Sequence, residues 1–329
     1  MKVSIDELKQ TTKKTLLKQG YDETEADTIL DVLMYAQLRG NNQGVVKLIG
    51  KGMANNASGD IEIIKESPVS AWLNAHQNQG MVVMNQASDL AIKKAKVSGI
   101  AIIGVKGINT SSGAIGYYAR KIAQNGLVAF AFSGYKETVA PAGAYQPIFG
   151  TNPLAIALPG KNNPLVFDMA TSAMALFGVV EASTVGRPLP EGVAYDSEGN
   201  PTTNAAKAMD GALLTFDKGG HKGSGLSMMI QALTGPLIGA AFAGIGDEST
   251  NWGGHLIIAF DPEMFAGLEA TEEGVNQLIA KVKGAKTLPG VGEILVPSER
   301  GDKKYAEAIN AGVLEIEDNV WVGLQKAAV

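Results

Sequence analysis

The chain has 329 residues, 45% apolar and 19% charged, with a formal net charge of −5, enough for one large domain or two moderate ones. That acidic balance excludes a broad surface for nucleic acid or anionic membrane. The absence of cysteine excludes disulfides, thiolate chemistry and zinc–thiolate sites, and no other metal site is expected.

The first twenty residues, MKVSIDELKQTTKKTLLKQG, are charged throughout and lack the apolar core of a signal peptide. The best apolar run, Leu233 to Ile245, is broken by Pro236 and several glycines, so no membrane span is expected and a cytoplasmic location is. Ser4 followed by Glu7 has capping-box spacing and predicts a helix to about Gln19. Asp22 and Glu25 repeat the signature before a second helix ending at Arg39, with Gly40 as its stop. Ile61–Ile64 and Val69–Leu73 read as short strands, and Met81–Val97 as a helix. From Gly99 the pattern alternates. IAIIGVKG reads as a buried strand, Gly113–Asn125 as a helix, and LVAFAFSG, LAIALPG and LVFDMA as further strands. This predicts an α/β sheet with both faces covered. Arg187–Ala205 reads as a long turn-rich loop. A helix is expected from about His221 to Thr234, a strand at His255–Phe260, and helices at Thr271–Val282 and Asp302–Ala311.

Four segments carry candidate chemistry. No strict G-x-G-x-x-G follows a strand, so the ordinary dinucleotide fingerprint is missing. Asn109-Thr-Ser-Ser-Gly-Ala-Ile-Gly-Tyr-Tyr118 opens a predicted helix, where amides and the Ser111 and Ser112 hydroxyls can hold a pyrophosphate or simply cap the helix. Gly150-Thr151-Asn152-Pro153 places a hydroxyl suited to a substrate carboxylate or carbonyl beside a turn that Asn152 can close on its own backbone. Phe167-Asp168-Met169-Ala170-Thr171-Ser172 ends an apolar strand with a carboxylate, which must accept hydrogen bonds or orient a neighbour. Gly219-Gly220-His221-Lys222-Gly223 sets a lysine at a glycine-rich helix start, able to meet phosphate or to stay a surface lysine.

Together these segments resemble the malate/L-lactate dehydrogenase family, which does not use the Rossmann fold. The resemblance implies a mixed-sheet, three-layer NAD(P)-binding α/β domain over 76–284. It also implies a helical part over 1–75 plus 285–329 that serves substrate binding and dimerisation. NAD or NADP is the implied cofactor, a small molecule the substrate, and a homodimer with its site between subunits the assembly. Carried over residue by residue, cofactor contacts fall on Ser111, Ser112, Gly113, Ala114, Ile115, Asp168, Met169, Ala170, His221, Lys222 and Gly223. Ser298, Glu299 and Arg300 resemble a late cofactor segment, though a solvated loop reads equally well. Asp168 matches the acid of a Ser–His–Asp relay, and Thr151 a substrate contact.

The catalytic segment departs from the family pattern. The family's Arg-Gly-x-x-Ser-His-Gly-Val-x-Arg is matched by Arg39-Gly40-Asn41-Asn42-Gln43-Gly44-Val45-Val46-Lys47, one residue shorter. Gln43 stands where the proton-donating histidine is expected, Asn42 for the serine, Lys47 for the carboxylate-binding arginine, and Ser111 for a second histidine. His76, His221 and His255 sit at none of the lost positions. Reduction of a 2-oxo acid builds charge on oxygen that needs an acid of pKa near 7, and a carboxamide cannot supply one. An iminium takes its proton from solvent, so the expected substrate is a small 2-oxo/2-hydroxy acid or a cyclic imino acid, the missing acid pointing to imine reduction. The same losses leave open a nucleotide-binding protein without catalysis, acting as sensor or partner subunit.

Overall fold

The computed structural model describes residues 1–49, 53, 55–247 and 252–329. The N-terminal part comprises β1 (Lys2–Ser4), α1 (Ile5–Lys18), α2 (Glu23–Leu38) and a 3-10 turn, Val45–Leu48. Next come β2 (Glu62–Ser67), β3 (Ser70–Asn74), α3 (Gly80–Ser98), β4 (Ile100–Lys106), α4 (Gly116–Gln124), β5 (Val128–Ser133), β6 (Leu154–Leu158) and β7 (Leu165–Met169). A small lobe follows with α5 (Leu176–Val185), β8 (Ala194–Tyr195), α6 (Ala205–Asp210) and β9 (Ala212–Leu213). The chain then runs through α7 (His221–Thr234), β10 (His255–Phe260), α8 (Leu268–Lys283), α9 (Glu299–Ala311), β11 (Val313–Glu315) and α10 (Asp318–Ala328).

Both N-terminal helices start where their caps predict. Ser4 Oγ accepts the Glu7 N–H at 3.1 Å, and Asp22 and Glu25 form a reciprocal capping box at 2.8 and 3.2 Å. On α1, Leu8, Thr12, Thr15 and Leu16 are fully buried, the i, i+4, i+7, i+8 stripe of a helix with one face in a core. That core also takes Ile29 and Leu33 of α2 and Trp321 and Leu324 of α10, and it is continuous with the core under the sheet. β1 pairs antiparallel with β11, tying the two ends of the described chain together.

The main sheet has seven strands in the order β2-β3-β4-β10-β5-β6-β7. Within this sheet, among the described residues, only β3 and β4 pair in parallel; its other pairings are antiparallel. It is a mixed sheet, as expected, and β2 and β3 lie in it although they precede residue 76. Ala101, Ile103 and Val105 of β4, Ala129 and Ala131 of β5, and Ile257 and Ala259 of β10 are buried beneath α3 and α4. Truncating a residue such as Ile103 there would cost about 2–5 kcal/mol. α7 packs on the other face against β5 and β10, and Ile238 covers Gly104 and Trp72, whose Nε1–H donates to the Ile238 carbonyl at 2.8 Å. That face is only partly covered, since Ile102 is 40% exposed.

Two departures from the expected elements bear on the site. The helix expected from Gly113 begins at Gly116, because Gly113 has φ +72°, a left-handed conformation no helix continues. A side chain there would also meet Val32 Cγ1 at 2.6 Å. The segment 187–205, expected to be loop, carries β8 and ends on Asn204, which caps α6. With α5 it builds a second core around Val139, Phe149, Val179, Ala182 and Leu213. Two-residue strands are too short to leave a periodic signal.

Candidate active site

The antiparallel order brings the C-terminal ends of β4, β5 and β7 and the N-terminal end of β10 to one edge of the sheet. The loops 41–47 and 107–115 and the start of α5 close over that edge. They enclose a cavity of about 230 Å³. Gln43, Lys47, Ser111, Ser112, Gly113, Ala114, Ile115, Thr151, Asp168, Met169 and Ala170 all line it. Residues separated by more than 120 positions thus meet on one surface.

Lys47 is the most unusual of them. Its side chain is 1% exposed, and its Nζ donates to Ser111 Oγ at 2.8 Å and lies 3.5 Å from the centre of the Phe177 ring. Among the described residues no carboxylate pairs with it. Burial pushes the amine well below the usual lysine range, toward the neutral form. The ring face attracts the cation but cannot replace a counter-ion. Ser111 Oγ accepts a second hydrogen bond, from the Gly113 N–H at 3.2 Å, so the serine is an anchor of the loop and not the cap of α4. The loop itself is fixed from outside: Tyr118 donates to the Ser112 carbonyl at 2.6 Å and Gln79 Nε2 to the Ser111 carbonyl at 3.1 Å.

Asp168, near the end of β7, accepts the Gly116 N–H at 2.8 Å and so caps α4 from another strand. Its side chain opens onto the cavity, where it is accessible. The protein mass around the cavity pushes its carboxyl up to about 6, opposed by the Gly116 amide. A Cβ at position 116 would fall 2.7 Å from Asp168 Oδ2, so this approach requires glycine.

The strand and turn holding Thr151 and Asp168 are locked by a buried hydroxyl and amide network. Thr171 Oγ1 donates to the Thr151 and Asn152 carbonyls at 3.1 and 3.2 Å, and Ser227 Oγ donates to Thr171 Oγ1 at 2.8 Å. Asn152 Nδ2 does not close its own turn but donates to α7, to the Ser227 carbonyl at 3.1 Å and Gln231 Oε1 at 2.7 Å.

Several residues of the cavity wall were not foreseen. His255, at the start of β10, is 3% exposed, and neither ring nitrogen has a hydrogen-bond partner among the described residues. Burial pushes its pKa down to about 4, so it presents one donor and one acceptor as a neutral imidazole. The signal was available: the period-2 pattern of His255, Ile257 and Ala259 turns the imidazole toward the same buried face. Tyr135 and Trp252, ring centroids 5.6 Å apart at 89°, form the neighbouring wall.

Other predicted residues lie outside the cavity. Asn42 is half-buried against α5, where a side chain at Gly178 would meet its Nδ2 at 2.8 Å. His221 and Lys222 are exposed at the start of α7, whose Gly220 and Gly223 amides donate to Asp217 at 3.1 and 3.0 Å. Ser298, Glu299 and Arg300 begin α9. Ser298 Oγ donates to Asp302 Oδ2 at 2.9 Å, while Glu299 pairs with Lys283. The same Asp302 receives Arg39 at 3.1 Å and Arg120 at 3.2 Å, and the Arg39 guanidinium sits between the Tyr35 and Tyr305 rings, so Arg39 ties α2 to α9. Among the described residues there is no cluster able to hold a metal ion, and no helix is long and apolar enough to cross a membrane.

Comparison with known proteins agrees with this arrangement. The family profile described as malate/L-lactate dehydrogenase matches residues 3–325. The L-sulfolactate dehydrogenase of Methanothermobacter thermautotrophicus is 34% identical over 310 residues, covering 91% of this chain and 88% of that protein. The Delta(1)-pyrroline-2-carboxylate reductase of Pseudomonas fluorescens is 34% identical, covering 94% of each. The solved malate dehydrogenase of Pyrococcus horikoshii superposes with a TM-score of 0.87 at 31% identity, over 100% of this chain and 94% of that one. These relatives are dehydrogenases and reductases, and none favours a chain without catalysis. The chain belongs to the malate/L-lactate dehydrogenase family, and it is an oxidoreductase.

Proposed function

We propose that the protein transfers hydride between NAD or NADP and a small carboxylated substrate, either a 2-oxo/2-hydroxy acid or a cyclic imino acid. The observation that carries the reading is the gathering of Asp168, Lys47, Ser111 and Thr151 in one cavity with the backbone of Met169 and Ala170. Similarity to both a hydroxy-acid dehydrogenase and an imino-acid reductase supports this pair of substrate classes. The residues suit a nicotinamide cofactor: among the described residues neither His255 ring nitrogen has a partner, and either one can meet one end of a carboxamide. At about 230 Å³ the cavity suits the reacting ring and a small acid, the rest of a dinucleotide lying outside. With the Gly220 and Gly223 amides taken by Asp217, the exposed Lys222 side chain is a group able to meet phosphate there.

The cofactor supplies the hydride; the chain supplies orientation and proton control. Thr151 donates to the substrate carboxylate or carbonyl, Gln43 holds the reacting heteroatom, and Lys47 contributes positive charge. Asn42 supports the Gln43 loop from the α5 side. Residues 76–284 serve as the cofactor part and residues 1–75 plus 285–329 as the substrate and dimer part. Exposed apolar side chains on and after α7, Met228, Met229 and Leu237, lie in the cofactor part and favour a homodimer whose interface extends onto it, which light scattering would check.

The test is fluorescence titration with NADH and NADPH, followed by turnover with pyruvate, oxaloacetate and cyclic imines. Uptake with turnover of one class is expected. Absence of uptake at millimolar concentration would refute the reading.

A further inference from the structure

The loss of both family histidines leaves the site without an imidazole where the acid is expected. Several facts about Lys47 and Ser111 bear on what replaces it. The Lys47 amine is enclosed, lacks a carboxylate partner among the described residues, and reaches the cavity beside Ser111 Oγ at 2.8 Å. Ser111 Oγ accepts from Lys47 and from the Gly113 amide, which fills both acceptor positions of a hydroxyl. Its single O–H is therefore the group left to donate, and it has no acceptor among the described residues. A hydroxyl arranged in this way passes a proton forward from the amine behind it to an oxygen in the cavity.

We propose that Lys47 is the proton source for reduction of a 2-oxo acid at this site, delivering through Ser111. This rests on the oxidoreductase reading above and assigns the missing acid within it. As the substrate carbon takes up hydride, the carbonyl π pair collects on oxygen. The Ser111 O–H breaks as a new O–H forms on the substrate, and a Lys47 N–H breaks to restore the serine. Lys47 ends as a neutral amine and regains its proton from solvent; oxidation of the 2-hydroxy acid runs the same path backward. Burial lowers the amine from the usual lysine range, which makes it a readier donor than a free lysine, and the Phe177 ring favours its protonated form. Asp168, Tyr135 and His255 are the other titratable groups on the cavity wall. His255 is neutral at working pH, and burial raises Tyr135, which makes both poor donors.

The substrate classes separate this role from simple carboxylate binding, because a cyclic imine arrives with its proton from solvent and a 2-oxo acid does not. Lys47→Met and Lys47→Arg are each expected to lower kcat for a 2-oxo acid by at least about 10²-fold, and kcat for a cyclic imine, which loses only substrate positioning, by a much smaller factor. Arginine keeps the charge but cannot release a proton, so its variant should also lose the alkaline fall in the pH profile. Ser111→Ala should follow the same pattern, and Ser111→Thr should recover most of the loss. A readout independent of turnover is NMR titration of protein carrying 13Cε-labelled lysine, the Lys47 signal being the one missing from Lys47→Met. Its midpoint is expected well below the roughly 10.4 of a free lysine. A midpoint at that value, or equal losses on both substrate classes, would overturn the proposal, as would a wild type that binds cofactor and reduces only imines. If a Lys47 variant does not fold, the wild-type titration and Ser111→Ala still decide. Absence of cofactor uptake in the wild type would instead remove the oxidoreductase reading itself.

Discussion

Asp168 and Asp217 each point a carboxylate at the first turn of a helix, α4 and α7, yet their surroundings push them in opposite directions. Asp217 takes two backbone N–H groups and the Thr215 hydroxyl at 2.7 Å, and these hold its carboxyl below the usual range. Asp168 takes one N–H and faces a cavity walled by protein, so desolvation wins and its carboxyl rises to about 6. A fully served carboxylate is a cap. One left half-served at a cavity is available for chemistry. The same contrast separates the cations of the 39–47 segment: Arg39 has Asp302 and two rings, while Lys47 has one ring and a hydroxyl.

Substitution of each carboxylate tests the contrast. Asp168→Asn should lower kcat by about 10²-fold or more. It should also remove a pH-dependent component of stability. A folded pKa of about 6 lies above the unfolded value near 3.9, so the folded state holds this proton more tightly. The resulting stabilisation is present below about pH 4 and is lost as pH rises through about 6. Urea midpoints for wild type and variant at about pH 4.5 and about pH 7 should therefore differ in slope, and equal slopes would place Asp168 with Asp217 as a mere cap.

Asp302, in the first turn of α9, is a third case, shared by two arginines whose side chains are only 11% exposed. Asp302→Asn leaves both with a neutral partner and should cost about 2–3 kcal/mol in unfolding free energy. A smaller change is expected at His255, where an unpaired buried imidazole stands ready for a ligand. His255→Leu should raise stability by about 1 kcal/mol in denaturant titration while weakening NADH or NADPH uptake. In wild type, His255 has a folded pKa depressed to about 4. The unfolded chain therefore binds this proton first, and stability falls as pH drops below about 6.5. The leucine variant should lack that loss.

The smallest effect belongs to the cap. Asp217→Asn should cost about 1 kcal/mol in thermal unfolding with little change in kcat. Because its folded pKa is lowered, the stabilisation lost is the part present above about pH 4, and the two proteins should converge as pH falls below it. A large loss of turnover in this variant would mean that the α7 terminus takes part in the reaction.

Much of the fold could be read along the chain, and the reasons are local. Ser4, Asp22 and Gly40 mark helix ends through bonds to their near neighbours, and the strands of the main sheet show as apolar runs between turn residues. α5, β1, β8, β9, β11 and α10 were not foreseen. The strands among them have two or three residues each and exist only because a partner distant in sequence supplies their hydrogen bonds.

Residue order alone gives the likeness of Gly150–Pro153 and Phe167–Ser172 to family segments, and the expectation that Gln43 and Ser111 replace imidazoles. Those are matters of residue identity and order. The state of each group comes instead from packing: among the described residues Lys47 is enclosed without an anion and bonded to Ser111, Asp168 caps a helix 52 residues away, and His255 has no hydrogen-bond partner at the cavity wall. Protonation and reactivity depend on desolvation and on distances of a few ångströms, and those are fixed by elements that the chain order does not place side by side.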